Sequence, residues 1–179
     1  MNFETIETER LILRKLTAES YYHIFDNCSD KEIMDCLNIS STENLNKDKA
    51  KVKKGISTFN KSFIIFQIFY KKNKSIIGWC GFHTWYTEHY RAEIGYELTD
   101  ENLKSKGLMT EAFKEIINFG FTTMKLNRIE AFIEPENIPS FKLIKKFGFI
   151  REGQLRNHYL KNDVFEDSVV FSLLKNEYN

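Results

Sequence analysis

The stretch from Ala92 to Glu134 limits the possible folds more than any other part of this chain. Ala92 to Leu98 (AEIGYEL) reads as a strand, and Arg128 to Glu134 (RIEAFIE) alternates apolar with polar residues. Between them, Thr110 to Met124 carries Phe113, Ile116, Ile117, Phe121 and Met124 at helical spacing. A strand, a helix and a strand of these lengths form a crossover that normally lays the two strands parallel with a right-handed connection. Whatever surrounds it must accommodate that parallel pair.

The rest of the chain reads mainly as hairpins and short helices. Arg10 to Leu16 has strand character and runs into Thr17, a helix cap with Glu19 and Ser20 behind it, so a first helix extends to about Asn27. Residues 38 to 60 are polar, with a helical stretch from Lys47 to Phe59. Its lysines at 47, 49, 51, 53 and 54 read as a solvated helix face, with a phosphate-binding surface as the alternative. Ser62 to Tyr70 and Ser75 to His83 form an antiparallel hairpin around Lys71–Lys74. Ser140 to Phe147 is a short helix closed by Gly148, and Phe149 to Leu160 with Phe165 to Leu174 makes a closing hairpin. Pro135 and Pro139 break the ladder where the chain leaves the strand at Glu134. The order is β-α-α-β-β-β-α-β-α-β-β, an α+β fold with a central mixed, mostly antiparallel sheet flanked by helices. With 179 residues and no linker or repeat, residues 1–179 read as a single domain.

Twenty-six basic and twenty-five acidic side chains leave a formal charge of +1, which supplies no field to draw nucleic acid or membrane lipid. The first residues hold Glu4, Glu7, Glu9 and Arg10 and look unlike a signal peptide, and no apolar run approaches ~18 residues. Cys28, Cys36 and Cys80 fit neither a disulfide framework nor a metal spacing, so buried free thiols, a cytoplasmic location and no bound metal are expected.

Chemistry first shows in Leu98 to Glu111 (LTDENLKSKGLMTE), which joins a strand to a helix through small polar residues and a glycine. Unpaired N–H groups and the dipole at such a helix start suit a pyrophosphate, and Lys104 and Lys106 add charge. A plain connecting loop is the other reading.

Taken with TERLILRKLT, IIGWCGFH, AEIGYELTDENLKSKGLMTEAF, LNRIEAFIEPENIPSFKLIKKFGFIREGQLR and the terminal DSVVFSLLKNEY, the chain resembles the GNAT superfamily of N-acetyltransferases from about Glu7 to Tyr178. The likeness is strongest to its RimJ/RimL-type branch, whose members acetylate protein N-termini and other small amines. That resemblance implies a GNAT fold, acetyl-CoA as cosubstrate and direct attack by a primary amine within a ternary complex. The superfamily's phosphate loop, Q or R, two residues, G, one residue, G or A, falls here on Asn102, Ser105 and Gly107, so only the last position agrees. The implied cofactor contacts are the main-chain donors of Lys104, Ser105, Lys106, Gly107, Leu108 and Met109, and the Thr110 hydroxyl. The strand end Tyr96, Glu97 and Leu98 would pair with the pantetheine amides, and Asn137 would contact the cofactor arm.

The catalytic groups are less uniform. Many relatives place a tyrosine acid seven residues after the asparagine, where this chain has Ile144. Ser140 resembles the branch's serine and would hydrogen-bond the sulfur directly or through water; a simple N-cap is its other reading, and Tyr159 is a distant candidate acid. Glu93 matches a strand glutamate that some members use as base, with a salt bridge to Arg91 or Arg128 as the alternative, and His83 is the second candidate base. Peptide α-amines, polyamines and aminoglycosides all suit such a scaffold, and Glu32, Asp35, Glu134, Glu136 and Glu166 are the carboxylates available to draw a cationic amine. Ile144 and the altered loop leave an acyl-CoA-binding sensor without turnover as the competing reading. Relatives of this kind are monomers or homodimers.

Overall fold

The expected crossover forms. In the computed structural model, which describes residues 2–57 and 62–178, strand β5 (Arg91–Leu98) and strand β6 (Arg128–Ile133) lie parallel, joined by helix α4 (Leu108–Thr122). The other strands are β1 (Thr5–Glu7), β2 (Leu11–Thr17), β3 (Ser62–Tyr70), β4 (Ser75–Tyr86), β7 (Ile150–Lys161) and β8 (Val164–Leu174). They complete a sheet in the order β1-β2-β3-β4-β5-β6-β8-β7, and every neighbouring pair except β5 with β6 is antiparallel. Helices α1 (Ala18–Asn27), α2 (Asp30–Leu37), α3 (Thr42–Lys54) and α5 (Ile138–Lys146) complete the α+β arrangement.

Two elements go beyond those expected from the sequence. Strand β1 is three residues long, too short for alternation to show. Helix α2 has only eight residues, a short span for its Ile33, Met34 and Leu37 stripe, and Ile33 alone is fully buried. Local chemistry starts it: the Ser29 hydroxyl accepts from the Glu32 N–H, while the Glu32 carboxylate accepts from the Ser29 N–H at 2.8 Å. Helix α3 begins at Thr42, capped by Ser41, rather than at Lys47, and Phe59 lies outside the described residues. Its lysines form a solvated face, because Lys47, Lys49 and Lys51 pair with Glu43, Asp30 and Asp48 at 2.7, 2.6 and 2.9 Å.

Alternation along the strands divides the apolar residues between the two sheet faces. Leu11, Leu13, Ile64, Phe66 and Ile68 join Phe113, Ile116 and Ile117 of α4 in one large cluster. Leu16, on the opposite pleat, packs with Ile24, Ile33 and Leu45 beneath α1, α2 and α3. Gly120 lets α4 approach the sheet closely, since a Cβ there would stand 2.6 Å from Phe82 and 3.2 Å from Ile129. This contact holds the C-terminal half of α4 against β4 and β6.

Candidate active site

Pairing between β5 and β6 covers only Arg91 with Arg128, Ala92 with Ile129 and Glu93 with Glu130. Beyond Glu93 the two strands part, although β5 runs on to Leu98 and stays paired with β4 through Gly78–Leu98. Along Ile94 to Leu98, alternate N–H and C=O groups therefore face the gap, where an extended amide chain can pair with them. The gap opens a cleft of about 230 Å³ lined by residues that include Trp79, His83, Glu93, Tyr96, Phe132, Glu134, Asn137 and Ser140. That is below the roughly 300–1,000 Å³ of pockets for drug-sized ligands, so the cleft suits reacting ends while the rest of a ligand lies along the surface.

One wall carries the titratable groups. Glu93 is 8% exposed, with one carboxylate oxygen 3.5 Å from His83 Nδ1 and the other accepting from the Tyr159 hydroxyl at 3.5 Å. Burial lowers the His83 pKa from its ordinary value of 6.5, which leaves the imidazole neutral and able to accept a proton near neutral pH. Gly95 makes room for this ring, because a Cβ there would come within 2.8 Å of both His83 Nε2 and Trp79. Burial first, and then the adjacent Glu93 carboxylate, push the Tyr159 phenol up. Tyr159 follows an irregularity in β7 after Leu155, where Asn157 takes a φ of 52° and its N–H donates to Asp167 at 2.9 Å. It thus sits beside the Glu93 carboxylate. Arg91 and Arg128 both donate to Glu130, at 2.7 and 2.8 Å.

At the other end of β5, residues 104–107 are exposed and lead into α4. Gly107 is the N-cap of α4 with φ of 76° and offers no side-chain cap, so the N–H groups of Leu108, Met109 and Thr110 are available to an anion. Ser105, in place of the superfamily's glycine, still adopts a left-handed φ of 59°. This backbone shape normally costs a non-glycine residue about 1–2 kcal/mol. Ser105→Gly is therefore expected to raise stability by up to ~1 kcal/mol and to tighten CoA binding, measured by melting scans with and without CoA; a lower melting temperature contradicts this.

The loop is held from behind by a network that crosses about a hundred residues of sequence. The Glu111 carboxylate accepts from the Thr8 hydroxyl at 2.6 Å, the Arg10 N–H at 2.8 Å and Arg10 Nε at 2.6 Å, while Arg10 Nη1 donates to the Lys106 carbonyl at 3.0 Å. Burial works against ionisation of Glu111, but these donors outweigh it and hold the carboxyl below its ordinary range. Lys104 is paired with Glu101 in the same loop.

Helix α5 forms the third side. Its N-cap is Asn137, not Ser140: Asn137 Oδ1 accepts from the Ser140 N–H at 3.1 Å, and the chain enters through Ile138 and Pro139. The Ser140 hydroxyl is thereby released from capping and lines the cleft. Ile144, at the superfamily's tyrosine position, is fully buried in the core. Of the candidate acidic residues, Glu134 lines the cleft and accepts from Lys161 at 3.3 Å; Lys161 also lies 3.6 Å from Glu166. Glu32 is engaged in its own helix cap. Among the described residues there is no group of three or more His, Cys, Asp or Glu side chains arranged to hold a metal ion.

The sequence matches the Acetyltransferase (GNAT) domain family over residues 10–150. It is 39% identical over 177 residues to the uncharacterized N-acetyltransferase p20 of Bacillus licheniformis, covering 98% of both chains. With spermidine N(1)-acetyltransferase of Escherichia coli it shares 28% identity over 90 residues, or 50% of this chain and 48% of the relative. The crystal structure of ribosomal-protein-S5-alanine acetyltransferase from Vibrio fischeri is similar in fold, with a TM-score of 0.68 at 19% identity over 98% of this chain and 99% of that one.

Proposed function

Because this chain belongs to the acetyltransferase (GNAT) family and is an acetyl-CoA-dependent N-acetyltransferase, we propose that it acetylates a primary amine, a peptide N-terminus or a small cationic amine, by direct attack in a ternary complex. The observation that carries this reading is the cleft between β5 and β6, which sets Glu93 and neutral His83 on one wall and the free hydroxyl-bearing start of α5 on the other. Acetyl-CoA supplies the thioester carbonyl that the amine attacks.

The cofactor fits what the chain offers. Main-chain donors of Lys104, Ser105, Lys106, Gly107, Leu108 and Met109, with the Thr110 hydroxyl, grip the pyrophosphate at the uncapped start of α4. Tyr96, Glu97 and Leu98 pair along the pantetheine, as the open side of β5 allows, and Asn137 reaches the arm. An aliphatic amine arrives as an ammonium, with an ordinary pKa near 10.4 for a lysine-like group or about 8 for a peptide terminus. Glu93, with His83, removes its proton, and Glu134 beside Trp79 and Phe132 draws the cation in. Ser140, which lines the cleft, would be the hydrogen-bond donor to the sulfur. The main gain comes from holding amine and thioester together, which lets the chain work without the usual tyrosine acid.

The acceptor classes suggested by the names of relatives are polyamines, as in spermidine N(1)-acetyltransferase, and an alanine of a ribosomal protein, as in ribosomal-protein-S5-alanine acetyltransferase. We infer action in the cytoplasm, in keeping with three free cysteines, although only Cys80 is buried and Cys28 and Cys36 are partly exposed, and assembly as a monomer or as a homodimer paired along the free edge of β7, where Leu155 and Leu160 are exposed. No helix among the described residues is long and apolar enough to cross a membrane.

The test is thiol release from acetyl-CoA with a panel of peptide N-termini, polyamines and aminoglycosides, read together with the acceptor mass. Release of CoA matched by a gain of one acetyl group on at least one amine is expected. Stabilisation of the fold by acetyl-CoA with background release for every amine favours the sensor reading, and no calorimetric heat with CoA overturns the cofactor site itself.

A further inference from the structure

The Tyr96 side chain carries an unmet polar group into the cleft. The phenol oxygen is shut off from solvent and has no hydrogen-bond partner among the described residues, a costly state for a hydroxyl. It lines the same cleft as Asn137 and Ser140. The ring cannot readily swing away, since it stands edge-on to Phe113 at 5.0 Å and 86°, and Phe113 is itself packed against Phe147 at 5.0 Å and Phe149 at 6.1 Å.

The nearby groups define what the phenol can do. Burial pushes Tyr96 up to about 12, and the Ser140 hydroxyl lies close enough to pull against that rise, although no hydrogen bond of normal geometry joins the two. The neighbouring Cys80 thiol is also raised by burial and stays neutral. Tyr96 is thus a permanent O–H donor that needs an acceptor, and Ser140 is a hydroxyl that can accept from it while donating its own proton elsewhere. Ile144, at the position of the superfamily's tyrosine, is fully buried, while the Tyr96 side chain comes to the cleft from β5.

We propose that Tyr96 is a positioning residue for acetyl transfer: its hydroxyl donates to Ser140 Oγ and so turns the Ser140 proton toward the departing sulfur. The inference rests on the placement of Ser140 beside the thioester proposed above. When the C–S bond breaks, the electron pair stays on sulfur and the Ser140 O–H stabilises the thiolate as a hydrogen-bond donor. No proton leaves Tyr96, and the proton shed by the amine goes to the Glu93 and His83 side.

The experiment is a double-mutant cycle on the full chain with Tyr96→Phe, Ser140→Ala and both together, using acetyl-CoA and an amine that the wild type acetylates. Tyr96→Phe is expected to lower kcat about tenfold, the scale of one hydrogen bond, with the KM for acetyl-CoA and the melting temperature little changed. The double variant is expected to match Ser140→Ala within about twofold, because Tyr96 acts only through that hydroxyl. Ser140→Thr, which keeps a hydroxyl, is expected to restore the dependence on Tyr96. Losses that multiply, or a Tyr96→Phe enzyme with wild-type kcat, overturn the inference. If the wild type turns over no amine, this inference and the reading beneath it both fail, whereas multiplying losses in an active enzyme sink this one alone.

Discussion

Glu93→Gln is expected to lower kcat/KM by about 10²- to 10³-fold while leaving the fold intact, the scale of a lost general base. The substitution keeps the size of a side chain that is only 8% exposed and keeps an acceptor for Tyr159, but it removes the charge beside His83. The pH profile separates the two partners. Burial lowers the His83 pKa, so the acid limb of the wild-type profile falls below 6.5, where the imidazole takes up its proton. In Glu93→Gln the limb moves to still lower pH, because a neighbouring carboxylate favours imidazolium. In His83→Ala that limb disappears. The same depressed pKa fixes the sign of the stability effect: the unfolded chain binds the His83 proton more readily than the folded one. Stability therefore rises with pH through the ordinary histidine range and falls on acidification. Retention of kcat/KM within about threefold in Glu93→Gln contradicts the base assignment, since such a residue contributes at least tens of fold.

Parts of this site were readable in the sequence because they depend on neighbours in sequence. The strands around α4 announce themselves by period, and Thr17, followed by Ser20, marks the start of α1 through short-range hydrogen bonds. The strand-loop-helix from Leu98 to Glu111 is readable for the same reason, and it leads into the uncapped start of α4 proposed as the anion site. Asn137 and Ser140 became candidates through the family resemblance, and the structure then changed their local roles by making Asn137 the cap.

What was not readable depends on distance in sequence. Glu111 is about a hundred residues from Thr8 and Arg10, and nothing within its own helix shows that it braces the loop ahead of α4. Gly95 looks like any glycine in a strand until the His83 and Trp79 rings are seen lying across it. The parting of β5 from β6 after Glu93 is a register fact, and alternation alone carries no register. Helix α2 differs, since its Ser29 and Glu32 cap is a local signal, but with eight residues it is short and is held in place by distant contacts such as Gln67 Nε2 donating to the Cys36 carbonyl at 3.1 Å.

The second large effect is expected from Phe113→Ala, which couples the core to the chemistry. Phe113 is fully buried and touches the rings of Tyr96, Phe147 and Phe149. Truncating a buried phenylalanine removes its transfer free energy and leaves a cavity, a loss of about 3–5 kcal/mol. For a chain of this length each kcal/mol shifts the melting temperature by roughly 2–4 °C, so a fall of roughly 6–20 °C is expected by calorimetry or circular dichroism. Phe113→Leu keeps most of the volume and is expected to cost less than half as much. The activity effect is separable, because assays can be run well below the variant's melting temperature. There, kcat is expected to fall, since the Tyr96 ring loses the edge contact that fixes its hydroxyl, while acetyl-CoA affinity changes little because α4 is also anchored through Ile116 and Ile117. A melting shift of only a few degrees contradicts the packing argument. A large shift with unchanged kcat shows instead that the site keeps its geometry without the aromatic stack beneath it.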